Sequence, residues 1–170
     1  KEAAKPARDK NITLAIGKLG ISTKKEGLGE AFNNLAVCYS LKGDKVKALE
    51  NYLKADKKGG SDANLNKGLR ANLGACQIRH GKYKDAQKSL AKSNESKNAY
   101  YNLGLVQLLT NDYSNAMKTL DKADDKEALT FYLKAVAAAR MENKEAMGKN
   151  LKQAVSMNNK LRERALTDLE

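Results

Sequence analysis

The sequence predicts an all-α protein built from antiparallel helix pairs stacked side by side, and three observations support this. Only one proline and 12 glycines interrupt its 170 residues, and long runs of Ala, Leu, Lys and Asn favour helices. Apolar residues recur at helical spacing in short blocks. These blocks return along the chain, and self-similarity at a spacing of 30 to 40 residues is typical of repeat proteins.

The clearest unit reads NLAVCYSLKGDKVKALENYLKAD over residues 34–56. Gly43 can take the left-handed conformation that ends a helix, and Asp44 can cap the helix that follows. Small and large apolar residues alternate on one face of each helix, so that the two backbones approach closely. They are Leu35, Ala36 and Tyr39 on the first helix and Ala48, Tyr52 and Ala55 on the second. One such pair cannot bury both its faces, so it must stack on a neighbour.

Three further copies follow at offsets of 38, 30 and 31 residues. The last is the weakest, because it lacks the Gly-Asp turn. We therefore expect about four helical hairpins in a domain over 29–158. Their predicted ranges are 29–57, 67–93, 97–123 and 127–158.

The two ends of the chain differ from the repeats. Residues 1–28 form an N-terminal segment in which NITLAIGKLGI predicts a short capping helix. At the other end, residues 159–170 place Leu161, Ala165 and Leu169 on one face with charged residues opposite. That pattern is typical of a helix that closes the end of a repeat stack.

These blocks resemble the tetratricopeptide repeat, a helix-turn-helix unit with a nominal period of 34 residues. In the first copy every signature position holds a suitable residue type: Phe32, Leu35, Ala36, Tyr39, Ala48, Tyr52 and Ala55. Later copies depart from the pattern at Arg70, Gln77, Gln107 and Lys134, and the proline that usually follows the second helix is missing throughout. The resemblance covers about 30–158. It implies a right-handed superhelix of stacked antiparallel helix pairs with helical end caps.

In this family the first helix of each pair lines a concave groove that holds a peptide or a partner segment. By alignment, the resemblance implies a lining of Asn33, Asn34, Val37, Leu41, Asn72, Arg79, Tyr101, Asn102, Leu105, Leu109, Tyr132, Val136 and Arg140. Its asparagines recur at equivalent positions, and an amide can both donate to and accept from a peptide main chain. The alternative is that these amides bond within their own repeat.

The groove becomes more apolar toward the third and fourth copies, and a contiguous exposed patch of that kind marks an interaction site. Two alternatives remain open for this patch. The terminal segment of the chain could cover it, or some of its residues could belong to the core.

Few residues offer catalytic or metal chemistry. His80 is the only histidine, and its place at the end of a first helix suits an interaction with the helix C-terminus. Cys38 and Cys76 occupy equivalent positions in neighbouring copies, where small buried residues are common, so we expect two free thiols. Zinc needs about four ligands at defined spacings, which these three residues do not supply. We expect no enzyme, no metal and no cofactor.

The formal net charge of +12 leaves two other functions open. Lysines spread over the whole surface could bind nucleic acid or another polyanion, although basic clusters interleaved with aromatic residues are missing. The chain could also be a scaffold or spacer segment of a larger cell-envelope or secretion protein, since it does not begin with Met. We expect a soluble monomer without a membrane span, either cytoplasmic or an exported fragment whose targeting signal lies outside this sequence.

Overall fold

The computed structural model of the protein describes residues 4–25, 28–93 and 95–168, and every regular element within these ranges is an α-helix. The helices are α1 (Ala4–Lys25), α2 (Gly29–Lys42), α3 (Lys45–Lys58), α4 (Ala63–Arg79), α5 (Tyr83–Ala91), α6 (Lys97–Leu109), α7 (Tyr113–Leu120), α8 (Ala128–Arg140), α9 (Lys144–Met157) and α10 (Leu161–Asp168). They fall into two compact units, of which one holds α1–α5 and the other α6–α10. The predicted all-α fold class is confirmed.

In the first unit, α2 pairs with α3 and α4 pairs with α5. Helix α1 packs against α2, and α3 packs against α4, so that neighbouring pairs share a core. That core combines small and large side chains, and Tyr39 packs against it. Its buried members are Ala36, Ala48, Leu49, Tyr52, Leu73 and Cys76. Burying one pair's apolar face therefore depends on the next pair.

In the second unit, α6 pairs with α7 and α8 pairs with α9, while α7 also packs against α8. One core cluster joins the two pairs and contains Leu108, Ala116, Leu120, Leu133 and Ala137. A second cluster joins α8, α9 and α10 and contains Tyr132, Ala154, Leu161 and Ala165. Helix α10 thus packs on the α8–α9 pair through Leu161 and Ala165. The third residue predicted on that face, Leu169, lies outside the described residues.

The turns inside the pairs follow the chemistry read from the sequence. Gly43 takes a φ of 85°, in the left-handed region, and the Asp44 carboxylate accepts a hydrogen bond from the Lys47 amide at 3.0 Å. In the third and fourth pairs the same left-handed position is held by Asn111 and Glu142, with φ values of 63° and 57°. Asparagine tolerates this conformation better than most residues, whereas glutamate adopts it at a cost.

The N-terminal helix is longer than the sequence predicts. A short helix was expected, but α1 spans 22 residues and continues through Gly17 and Gly20. Glycine lowers helix propensity by only about 1 kcal/mol. Ile12, Ile16 and Leu19 are spaced i, i+4 and i+7 on the face that turns away from solvent, and Ile12 is buried. Packing of this face outweighs the low propensity of the glycines.

The connection before α4 is also shorter than expected. The repeat pattern predicts a start near residue 67, whereas α4 begins at Ala63. The carboxylate of Asp62 accepts a hydrogen bond from the Leu65 amide at 2.9 Å and so caps the new N-terminus. The Ser-Asp pair at 61–62 was the capping signal that the sequence analysis missed.

Glycine is required where the two helices of a pair come closest. A Cβ on Gly74 would lie 2.5 Å from the Leu90 Cγ, and one on Gly104 would lie 2.6 Å from the Leu120 Cγ. On the same helix as Gly74, a Cβ on Gly68 would meet nothing within 4 Å. On helix α4, a side chain at Gly74 would clash with Leu90, whereas a side chain at Gly68 would have room.

This contrast gives the first prediction. Gly74→Ala overpacks the α4–α5 contact, and we expect it to lower the free energy of unfolding by about 1–3 kcal/mol. Gly68→Ala adds a better helix former in open space, so we expect a rise of about 0.4–1 kcal/mol. Urea unfolding followed by circular dichroism measures both. Equal effects of the two substitutions would contradict the proposed close approach.

The second prediction concerns the thiols, which are both free. Cys76 lies in the core and Cys38 is half-buried. Burial raises the pKa of the Cys76 thiol, and Arg79 opposes this in part. Because only the thiolate attacks an alkylating reagent, we expect Cys38 to be modified first in the native protein at pH 7–8. Cys76 should react only on unfolding or at higher pH. Peptide mass spectrometry over time distinguishes the two, and faster labelling of Cys76 would show that the order is wrong.

Candidate protein-binding faces

The first helices of the first unit, α2 and α4, carry a linked set of asparagine amides. The Asn72 Nδ2 donates to the Asn33 Oδ1 at 2.9 Å, and the Asn33 Nδ2 donates to the Asn34 Oδ1 at 3.3 Å. The first bond connects neighbouring pairs and the second lies within α2, so the predicted asparagine row is partly satisfied by the protein itself. Asn34 and Asn72 are nevertheless exposed. Because an amide has two donor hydrogens and an acceptor oxygen, the row keeps hydrogen-bonding capacity toward solvent.

Apolar side chains continue this face along α2. Val37 lies three residues after Asn34 and Leu41 four residues after Val37, and their exposed fractions are 37% and 52%. Arg79 is exposed at the C-terminal end of α4. We call Asn33, Asn34, Val37, Leu41, Asn72 and Arg79 the α2–α4 face. It offers a mixed polar and apolar strip with one cation at its end.

The first helices of the second unit, α6 and α8, border a groove of about 580 Å³. Five residues of the predicted set line it: Leu105, Leu109, Tyr132, Val136 and Arg140. Leu109 is 44% exposed, and Leu105 and Val136 are half-buried. The structure thus brings together the residues that alignment placed on one inner surface, and we call this site the α6–α8 groove.

Two residues of α10, Arg164 and Thr167, also line the α6–α8 groove, and the sequence analysis missed both. The sequence showed that α10 is charged on one side. It did not show which helices that side would lie beside, because this depends on how α10 docks. With Arg140 on α8, the groove has two guanidinium groups in its lining, and such groups bind carboxylates through charge-assisted hydrogen bonds.

Tyr132 is among the lining residues of the groove but contributes little accessible surface. Its side chain is only 1% exposed and belongs to the cluster with Ala154, Leu161 and Ala165. The Arg164 guanidinium lies over its ring, 5.2 Å from the centroid, an arrangement that stabilises the docked helix. Tyr132 is therefore core, and the chain's own C-terminal helix covers it. Both alternatives left open by the sequence apply at this position.

Tyr101 and Asn102 occupy intermediate positions on α6. Tyr101 is half-buried and packs against the core cluster of the second unit, as Leu105 does. Burial raises the pKa of the Tyr101 phenol, while the positive charge of Arg164 lowers it to a smaller extent. Asn102 is also half-buried. The more accessible side chains of this surface are Leu109 and Arg140.

His80 ends α4, as predicted, and its Nε2 lies 3.0 Å from the Lys45 carbonyl oxygen. Within the described ranges, no group of three or more His, Cys, Asp or Glu side chains is arranged to hold a metal ion. None of the helices described is both long and apolar enough to cross a bilayer.

Comparisons with known proteins identify one repeat and the fold. Residues 97–125 match the sequence pattern of the tetratricopeptide repeat. No curated protein sequence shows significant similarity to the chain.

Solved structures are similar at low sequence identity. YrrB, described as a TPR protein with an unusual peptide-binding site, superposes with a TM-score of 0.79 at 17% identity, over 95% of this chain and 88% of that one. MamA superposes with a TM-score of 0.76 at 18% identity, over 94% and 95%. MamA residues 41 to the end from Desulfovibrio magneticus RS-1 give 0.76 at 16% identity, over 92% and 91%. At these identities the likeness shows the fold.

The docking of α10 gives the third prediction. Leu161 is 5% exposed against Tyr132, so we expect Leu161→Ala to lower the free energy of unfolding by about 2–4 kcal/mol. On the same helix Leu166 is 63% exposed. Leu166→Ala should therefore change the free energy of unfolding by no more than about 0.5 kcal/mol. Urea unfolding measures the difference, and hydrogen exchange of the α8 and α9 amides locates it. A small, equal effect of both would show that α10 does not cover Tyr132.

Proposed function

We propose that this chain, which has the tetratricopeptide-repeat fold and carries such a repeat at residues 97–125, is a non-catalytic module that binds a peptide or partner segment on its first-helix faces. The fold suggests a protein–protein interaction module, and its relatives are generally interaction scaffolds. The four hairpins, near 29–57, 67–93, 97–123 and 127–158, would be the four repeats of the module.

The observation that carries this proposal is the α6–α8 groove. Leu105, Leu109 and Val136 provide apolar contacts, and Arg140 and Arg164 add positive charge. A site that combines apolar walls with placed polar groups binds a ligand by burial and orients it by hydrogen bonds. We therefore propose a peptide in which an apolar side chain stands close to a carboxylate.

The α2–α4 face supports the same function in the first unit. Asn34 and Asn72 are exposed at the ends of a hydrogen-bonded row of amides, and such groups can pair with the main chain of an extended peptide. Val37 and Leu41 offer apolar contacts beside them. YrrB, which shares the fold, is described as having a peptide-binding site, and this makes peptide binding a reasonable use of the scaffold here.

The fourth prediction tests the α6–α8 groove. The tagged chain is used to capture partners from the native lysate, and recovery is quantified by mass spectrometry. We expect Leu109→Gln combined with Arg140→Ala to reduce recovery of the specific partner at least about tenfold, as loss of roughly 1.4 kcal/mol of binding energy would. The control is Leu53→Gln on α3, because Leu53 is 46% exposed and Leu109 is 44% exposed.

Undiminished recovery with the double variant, in a protein that circular dichroism shows to be folded, would contradict groove binding. Salt dependence separates the proposal from polyanion binding. A peptide mapped from the captured partner should lose less than about tenfold in affinity between 50 and 200 mM salt, whereas neutralising 6–10 phosphates costs about 10³–10⁵. A loss on that larger scale would favour a polyanion as the natural ligand.

A further inference from the structure

A second and larger groove lies between α9 and α10, on surface that the proposed function does not use. Its volume is about 800 Å³. Most of the side chains around it are apolar, and its lining shares no residue with the α6–α8 groove. The apolar members are Met147, Leu151, Val155, Ala165 and Leu166. We call it the α9–α10 groove.

The apolar residues of α9 form a stripe that is only half covered. Met147, Leu151 and Val155 are spaced i, i+4 and i+8, so they lie along one face of the helix, and all three are half-buried. Leu166 on α10 borders the same groove and is 63% exposed. An apolar strip between two helices is a surface on which the apolar face of a further helix can pack.

The packing of the second unit explains why this strip is open. Helix α7 lies against α6 and also against α8, so both of its flanks are covered. Helix α9 lies against α8 and against α10, and no other helix within the described ranges packs closely on it. The groove therefore remains accessible, and a helix supplied by another molecule can enter it.

Charge and backbone access indicate what kind of helix fits. Two charged side chains, Lys152 and Arg162, line the groove, and both are cations. A Cβ on Gly148 would meet nothing within 4 Å, so this glycine leaves a notch where an incoming helix can approach the α9 backbone. A second copy of the same face would bring its own Lys152 and Arg162 against these cations, which disfavours self-association through this groove.

We propose that the α9–α10 groove binds an amphipathic helix of a partner protein, with an apolar stripe toward α9 and acidic residues toward Lys152 and Arg162. Helices are recognised in this way through apolar anchors at i, i+3 or i+4, and i+7. This second binding surface goes beyond the proposed peptide sites and depends on different residues.

The fifth prediction uses the full chain and a defined probe. The probe is a fluorescein-labelled Ala-based peptide of about 20 residues, with leucines at i, i+4 and i+7 and flanking glutamates. The control peptide carries lysines in place of the glutamates. In a fluorescence anisotropy titration we expect the acidic peptide to bind at least about tenfold more tightly than the basic one, which corresponds to about 1.4 kcal/mol. The combination Lys152→Glu with Arg162→Glu should reverse this preference.

Two substitutions test the site itself without threatening the fold. Gly148→Met should fill the notch while raising helix stability, because the site is open and methionine is the better helix former. Leu166→Gln removes an exposed anchor. We expect each to weaken the acidic peptide at least about fivefold. Val46→Gln should leave binding unchanged, since Val46 is 66% exposed on α3 and lies outside the groove.

Three results would overturn this proposal. One is equal affinity for the acidic and basic peptides. Another is unchanged binding by the Gly148 and Leu166 variants. The third is a dimer in sedimentation equilibrium that Leu166→Gln abolishes, since the occupant would then be a second copy. Because the probe also carries the apolar and acidic groups proposed for the α6–α8 groove, the titrations are repeated in the Leu109→Gln, Arg140→Ala background. The effects of the Gly148, Leu166, Lys152 and Arg162 variants should persist there. If they disappear, the peptide occupies the α6–α8 groove, and only the inference about the α9–α10 groove fails.

Discussion

Close approach between the two helices of a pair is the constraint on which the rest of this structure depends. At Gly74 and Gly104 the first helix has no side chain, because Leu90 and Leu120 of the second helix occupy the space where a Cβ would be. The first pair uses Ala36, with no exposed surface, at the equivalent position. Tight pairs of this kind bury one face of each helix and direct the other faces toward the neighbouring pair or toward solvent.

That division of faces determines where binding surfaces can lie. The residues that join neighbouring pairs are buried in the core, as Leu133 and Ala137 are. Residues one helical step away remain partly accessible, and these form the α2–α4 face and the α6–α8 groove. Helix α10 contributes residues to both grooves of the second unit. It buries Tyr132, adds Arg164 and Thr167 to the α6–α8 groove, and leaves the α9–α10 groove open.

The net charge of +12 describes the whole surface, whereas the cations that bear on binding are those beside the grooves. Cations spread over an exposed surface are solvated, and salt screens their interaction with charges more than about 10 Å away. An arginine or lysine beside an apolar groove acts differently, because a bound ligand excludes water and strengthens its pairing with a carboxylate. Both grooves of the second unit combine apolar walls with such cations, and this combination is the reason for proposing acidic partners that also carry apolar anchors.

The sequence alone determined the helix pairs, their turns and the spacing of the repeat, because these depend on local propensity, capping and periodicity at positions such as Gly43, Asp44 and Ala48. It also indicated which first-helix residues share a face, and the structure places Leu105, Leu109, Val136 and Arg140 around one groove. Only the tertiary structure decided that α1 continues through two glycines and that Tyr132 is core. Both outcomes follow from which helix packs on which. That choice depends on contacts between residues distant in sequence, and helical periodicity does not encode it.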